Sequence, residues 1–99
     1  MLGDLEIDPD GRSARIGQAD LPLTALEFDL LLALAERAGR VVPREALWEA
    51  AGRGDTVVAE RTVDVHVSRL RAKLGDDARE PRRLKTVRGA GYVLVKEPG

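Results

Sequence analysis

The sequence predicts a small α+β domain: a short N-terminal antiparallel sheet, three helices and a C-terminal β-hairpin. Three observations carry that prediction. Apolar residues alternate around turn residues at the start, they recur at helical spacing through the middle, and two short apolar runs flank Arg88-Gly89-Ala90-Gly91 near the end. A chain of 99 residues fits one domain, spanning 1–99, and has no room for a second core.

In the first segment Leu5 and Ile7 lie two apart, Asp8-Pro9-Asp10-Gly11 is a turn cluster, and Ala14 and Ile16 resume the alternation. Gly17-Gln18-Ala19-Asp20 breaks the run before Leu21 and Leu23, so the segment reads as a meander of short strands with one face inward. Met1 and Leu2 stand almost at the head of a strand, which reads as a cut end with chain continuing upstream.

Thr24-Ala25-Leu26-Glu27 has the form of a capping box and opens a first helix. Leu26, Leu30, Leu31, Leu34 and Ala38 form its apolar stripe, and Gly39 suits its stop. Val41-Val42 is a short extended link, because a residue before proline avoids the helical region. Pro43 suits the first turn of a second helix through Leu47, Trp48 and Ala51, which Gly52-Arg53-Gly54-Asp55 ends. Thr56 to Ala59 form a loop whose Val57-Val58 pair is unusually apolar.

A third helix is predicted from Glu60 to Gly75. Val63, Val67, Leu70 and Leu74 fall within about 60° of one another at 100° per residue, leaving Arg61, Thr62, Val65, Ser68, Arg69 and Ala72 on the opposite side. After a polar loop from Asp76 to Arg83, Leu84-Lys85-Thr86-Val87 and Tyr92-Val93-Leu94-Val95 read as the two strands of the hairpin. Three helices followed by a basic hairpin is the plan of a winged helix-turn-helix, with the third helix as reader and the hairpin as wing.

Composition narrows the function. The net charge is −1, yet residues 1–60 carry six Arg against twelve carboxylates, whereas residues 61–96 carry ten basic groups against four acidic ones. Such a division suits a chain that turns one face to a polyanion. Cysteine is absent, which excludes disulfides and thiolate chemistry. No apolar run approaches the ~20 residues that span a bilayer, and the start lacks a secretory pattern. The expectation is a soluble cytoplasmic protein with no membrane partner.

The outer side of the third helix is the strongest functional signal. An ordinary solvated helix face mixes Glu with Lys, but this one is Arg, Thr, Val, Ser, Arg and Ala without a carboxylate. Small residues let a helix approach the floor of the major groove, Arg addresses guanine, and the Val65 isopropyl group suits a thymine methyl. In the wing, Arg88 at a glycine-rich tip suits a narrow minor groove, and Thr86 and Tyr92 offer hydroxyls to phosphates. Trp48 reads as core. His66 is the only histidine and lies on the helix flank, near the groove edge. Asp8, Asp10, Asp20 and Asp55 lack the spacing of a calcium loop, and no phosphate-binding glycine loop occurs. No metal site, cofactor site or catalytic constellation is legible, so an enzyme is unsupported.

The run Glu60-Arg61-Thr62-Val63-Asp64-Val65-His66-Val67-Ser68-Arg69-Leu70-Arg71-Ala72-Lys73-Leu74, followed by Lys85-Thr86-Val87-Arg88-Gly89-Ala90-Gly91-Tyr92, resembles the DNA-binding effector domains of OmpR/PhoB-type response regulators. Leu23 to Leu31 and Val41 to Leu47 resemble the first two helices of the same family. The resemblance implies a transcription regulator of a two-component phosphorelay, whose phosphorylatable receiver domain does not fit in this chain. It also implies residue roles. Arg61 and Thr62 match phosphate-holding positions, Val65 and Arg69 base-reading ones, with Ser68 and Arg71 beside them and His66 on the flank. Thr86 and Tyr92 match backbone-contacting wing positions, and Arg88 the minor-groove arginine. The stretch with Arg53, Asp55, Val57 and Val58 matches a segment that touches RNA polymerase. Trp48 sits earlier than the tryptophan many members carry, which sets it apart from a phosphate contact.

Together these readings predict sequence-specific binding of double-stranded DNA, at direct repeats, with RNA polymerase and the protein's own receiver domain as further partners. The alternative is a winged-helix protein-interaction module that does not bind DNA.

Overall fold

The computed structural model describes residues 2–54, 59–77 and 79–96. Three strands come first, β1 (Leu5–Asp8), β2 (Ser13–Ile16) and β3 (Ala19–Asp20), paired antiparallel in the order β1-β2-β3. Leu5 faces Ile16 and Ile7 faces Ala14 across the ladder, which puts the apolar members of the alternation on one face. One expectation is corrected here. Ala19–Asp20 is a strand and not only a break, because Gly17-Gln18 closes a tight turn and Arg15 then pairs with Asp20.

Helix α1 (Ala25–Glu36) starts at the predicted capping box. The Thr24 hydroxyl accepts from the Glu27 N–H at 3.2 Å, and the Glu27 carboxylate accepts from the Thr24 N–H at 2.8 Å, so two orphan donors of the first turn are satisfied reciprocally. Phe28, Leu30, Leu31, Ala33 and Leu34 are buried, while Leu26 is only half-buried. The helix stops before Gly39, whose N–H donates to the Leu94 carbonyl at 2.9 Å.

Helix α2 is short (Arg44–Trp48) and runs into one wider π-helical turn, Glu49–Arg53, with Gly52 at φ +82°. Pro43 sits at the N-cap, one position earlier than a first-turn proline. Helix α3 (Glu60–Lys73) buries Val63, Val67, Leu70 and, at its cap, Leu74, the four residues of the predicted stripe. It ends in a Schellman motif: Gly75, at φ +77°, donates to the Ala72 carbonyl and Asp76 donates to that of Arg71, both at 3.1 Å.

The Asp76 carboxylate then accepts from the Arg83 and Leu84 N–H groups at 3.0 and 2.8 Å, launching β4 (Leu84–Val87) from the end of α3. Its partner β5 (Gly91–Leu94) begins one residue earlier than expected, and the register pairs Thr86 with Tyr92. The Val41-Val42 link is more than a connector. Val42 and Tyr92 exchange backbone hydrogen bonds at 2.7 and 3.0 Å, so the link lies against the hairpin as a one-residue third strand. Gly91 makes that approach possible, since a Cβ there would stand 2.1 Å from the Val42 carbonyl oxygen.

One core unites these elements: Leu30, Leu31 and Leu34 from α1, Leu47 from α2, Val67 and Leu70 from α3, and Leu84 and Leu94 from the hairpin are essentially inaccessible. Each such side chain contributes about 1.5–3 kcal/mol relative to exposure. No described helix is long and apolar enough to cross a membrane.

Candidate nucleic-acid interface

Because α3 spends one stripe on the core, its opposite side faces solvent. Arg61, Val65, Ser68, Arg69 and Ala72 are all exposed, and Val65 retains 41% of its accessible surface. Thr62 and His66 are half-buried on one flank, where the His66 ring stacks at 25° on Trp48 with centroids 6.2 Å apart. Trp48 itself is a core residue, as read from the sequence.

The other flank carries Asp64 and Arg71, seven residues apart and so nearly superposed along the helix. Both turn to the hairpin. The Arg71 guanidinium donates to the Leu84 carbonyl at 3.0 Å and to the Thr86 hydroxyl at 2.8 Å. Asp64 Oδ1 accepts a short hydrogen bond from the Tyr92 hydroxyl and another, at 2.6 Å, from Arg44 Nε of α2. The Arg44 guanidinium also lies 5.4 Å from the centre of the Tyr92 ring.

These contacts fix the protonation states. Burial alone would raise the Asp64 carboxyl, but hydrogen bonds from Arg44 and Tyr92 outweigh it and hold the group below its ordinary value. Burial, and then the hydrogen bond to Asp64, push the Tyr92 hydroxyl up to about 12. Asp64 thus stays an anion whose charge Arg44 offsets, and no uncompensated carboxylate borders the exposed side of α3 on this flank.

Tyr92 departs from its expected place. It is 4% exposed, and its O–H is committed to Asp64, so the hydroxyl that the sequence offered to phosphate is used inside the domain. Arg71 and Thr86 are likewise engaged with each other, although Thr86 is exposed. Arg88 stands exposed in the three-residue tip between β4 and β5. Arg53, placed in the polymerase-contact stretch, instead donates to Asp29 of α1 at 3.0 Å, and Asp29 also holds Arg12 at 2.8 Å. Asp55, Val57 and Val58 lie outside the described residues.

Two features escaped the sequence reading. Arg44 and Asp64 organise the flank, and the sole hint was a carboxylate inside an otherwise basic stretch. Lys85 is the second: exposed on β4 beside Thr86, it makes no ion pair with any described residue, and neither do Arg61, Arg69 and Arg88. Among the described residues no group of three His, Asp or Glu side chains converges as a metal site would require.

Residues 17–94 match the family described as transcriptional regulatory protein, C terminal. The alkaline phosphatase synthesis transcriptional regulatory protein PhoP of Bacillus subtilis is 43% identical over 98 residues, which is 99% of this chain and 40% of PhoP. The chain therefore spans less than half the length of such relatives. The RstA DNA-binding domain of Klebsiella pneumoniae, solved in complex with the RstA box, superposes with a TM-score of 0.89 at 43% identity, covering 97% of this chain and 95% of that one. Response regulator DrrB of Thermotoga maritima, an OmpR/PhoB homologue, gives 0.85 at 39% identity over 96% of this chain and 43% of its own. A winged helix with this pattern of helices, hairpin and sequence belongs to the C-terminal effector domains of OmpR/PhoB-type transcriptional regulators.

Proposed function

We propose that this domain binds double-stranded DNA at specific sequences, with α3 in the major groove and the hairpin tip on the adjacent minor groove. The carrying observation is the exposed, carboxylate-free side of α3 next to an exposed arginine in a glycine-flanked tip. Arg69 and Val65 read base edges, Arg61 and Thr62 hold phosphates, with Ser68 beside them and His66 at the groove edge. Arg88 enters the minor groove, where narrow width concentrates negative potential. Lys85 adds a backbone contact on the wing. Tyr92, Arg71 and Thr86 hold the wing in place.

In the full-length protein the domain is the output half of a cytoplasmic phosphorelay. Receiver phosphorylation pairs two copies on direct repeats and so raises the effective concentration of the second copy. RNA polymerase meets the stretch from Arg53 to Val58, where Arg53 anchors the segment to α1 and Asp55, Val57 and Val58 make the contact.

Anisotropy titrations on duplexes recovered by selection from random DNA test the reading. The logarithm of the binding constant should fall with that of salt concentration by about 0.9 per phosphate contact. Arg69→Ala should cost about 1–3 kcal/mol and flatten base preference, whereas Arg61→Ala should weaken all sequences alike and lower the salt slope by about 1. Equal losses on every sequence would refute the division of roles. Binding indifferent to salt would point to the protein-interaction module instead.

A further inference from the structure

Arg71 holds the base of the hairpin at the Leu84 carbonyl, and the distal half is fastened to α3 at one cross-strand pair. Thr86 and Tyr92 are register partners on β4 and β5, so their side chains leave the hairpin on the same face. Asp64 holds Tyr92 and Arg71 holds Thr86, and the two holders lie seven residues apart on one flank of α3. The same pair is steadied from behind. Arg44 shares the Asp64 oxygen, and Val42 bonds the Tyr92 backbone in both directions. Two guanidinium groups lie near the Tyr92 ring, Arg71 6.0 Å and Arg44 5.4 Å from its centre.

A simple packing account does not require this arrangement. The hairpin already buries Leu84 and Leu94 in the core, which anchors its base. Apolar burial is non-directional, so it leaves the tilt of the distal half, and hence the place of Arg88, weakly specified. Hydrogen bonds to ionised groups are directional and among the stronger ones, and two of them about two turns apart on one helix fix an angle as well as a distance.

We infer that Asp64, Tyr92, Arg71 and Thr86 are positioning residues that set the spacing between the α3 reading side and Arg88, so that both grooves are met at once. The inference rests on the DNA-binding reading above. Preorganisation of this kind lowers the ordering cost that binding otherwise incurs.

The chain has no cysteine, so nitroxide labels can be placed uniquely at Ala72→Cys on α3 and Ala90→Cys in the tip, both exposed. Without DNA, pulsed electron–electron distance measurement should give a narrow distribution for the otherwise native protein. It should broaden in Tyr92→Phe and broaden further in Tyr92→Phe/Thr86→Val. Phe keeps the buried ring, and Thr86 is a surface residue, so the single Thr86→Val variant remains informative if the ring position tolerates no change. With DNA, Arg88→Ala should weaken binding about tenfold in the native background. The same change should cost about threefold in the double-variant background, and that non-additivity measures the coupling. An unchanged distance distribution, or an Arg88→Ala loss equal in both backgrounds, would overturn the inference while leaving DNA binding intact. A native domain that binds no duplex in the salt titrations would overturn the functional reading itself, and the positioning inference with it.

Discussion

Gly91→Ala should be among the most destabilising single-methyl additions available to this domain. The added Cβ would stand 2.1 Å from the Val42 carbonyl oxygen and 2.7 Å from Pro43 Cα, and both are backbone atoms that no rotamer change can move. Relief requires the hairpin to part from the link, which breaks the Val42–Tyr92 hydrogen bonds of 2.7 and 3.0 Å. Two such bonds contribute roughly 1 kcal/mol each. Alanine at the φ of +144° found here adds strain of about 1–3 kcal/mol. The expected loss is therefore about 3–5 kcal/mol, a large share of the 5–15 kcal/mol typical of a domain. At about 4–8 °C per kcal/mol for this size, the melting temperature followed by circular dichroism should fall by roughly 12–40 °C. Gly89→Ala is the control: its φ is +73° but no atom lies within 4 Å of the new Cβ, so only the conformational cost of about 1–2 kcal/mol applies. If the two variants melt together, or Gly91→Ala loses less than Gly89→Ala, the close-approach argument fails.

Two further outcomes concern the ion pair beneath α1. Lys73→Met should cost about 1–3 kcal/mol in urea denaturation, because it leaves the 3%-exposed Glu27 without the ammonium now 2.5 Å from it while the Thr24 donors remain. A variant as stable as the native protein would show that the pair contributes nothing. Burial alone would raise the Glu27 carboxyl, but hydrogen bonds from Lys73 and the Thr24 backbone outweigh it and hold it below its ordinary 4.5. A carboxyl lowered on folding lends stability above its unfolded value and loses it as pH falls through the folded one. The stability gap between native protein and Glu27→Gln should accordingly be full at neutral pH and shrink as pH falls below 4.5 and through the lowered folded value, and a gap constant across that range would contradict the assignment.

What the sequence made legible was local. The Thr24–Glu27 box spans three residues and is recognisable anywhere, and the Val63, Val67, Leu70, Leu74 stripe needs only helical geometry. Glu27 shows the boundary of that legibility. Its cap was readable, but its pairing with Lys73, 46 residues away, depends on how α1 and α3 cross. Strand β3 has two residues, too few to display alternation, so in the sequence it shows only as a break. The sequence offers the Tyr92 hydroxyl to a phosphate and sets Arg71 beside the base-reading positions, because a hydroxyl or a guanidinium suits nucleic acid, a carbonyl or a carboxylate equally well. Only the placement of β4 and β5 along the α3 flank decides between these partners.

The near-neutral total charge also needs a physical reading, because a polyanion should repel half of this chain. Pairing comes first. Arg12 and Arg53 share Asp29, Arg15 meets Glu6, Lys73 meets Glu27 and Arg83 meets Asp4, so these carboxylates of the first segment are paired within the fold, and Arg44 pairs Asp64, the carboxylate on the α3 flank. Screening comes next. At physiological salt the Debye length is about 8 Å. The domain is 36 Å along its longest axis, so a phosphate at the α3 surface responds to nearby side chains and not to the sum. The nearby ones are Arg61, Arg69, Lys85 and Arg88, exposed and without ion pairs to described residues. A net charge of −1 thus coexists with a locally cationic surface, and the same arrangement limits the non-specific attraction a uniformly basic domain would have for any nucleic acid. Discrimination among sequences then falls to the few side chains that reach base edges, which makes their placement by the α3–hairpin clasp matter more than the number of positive charges.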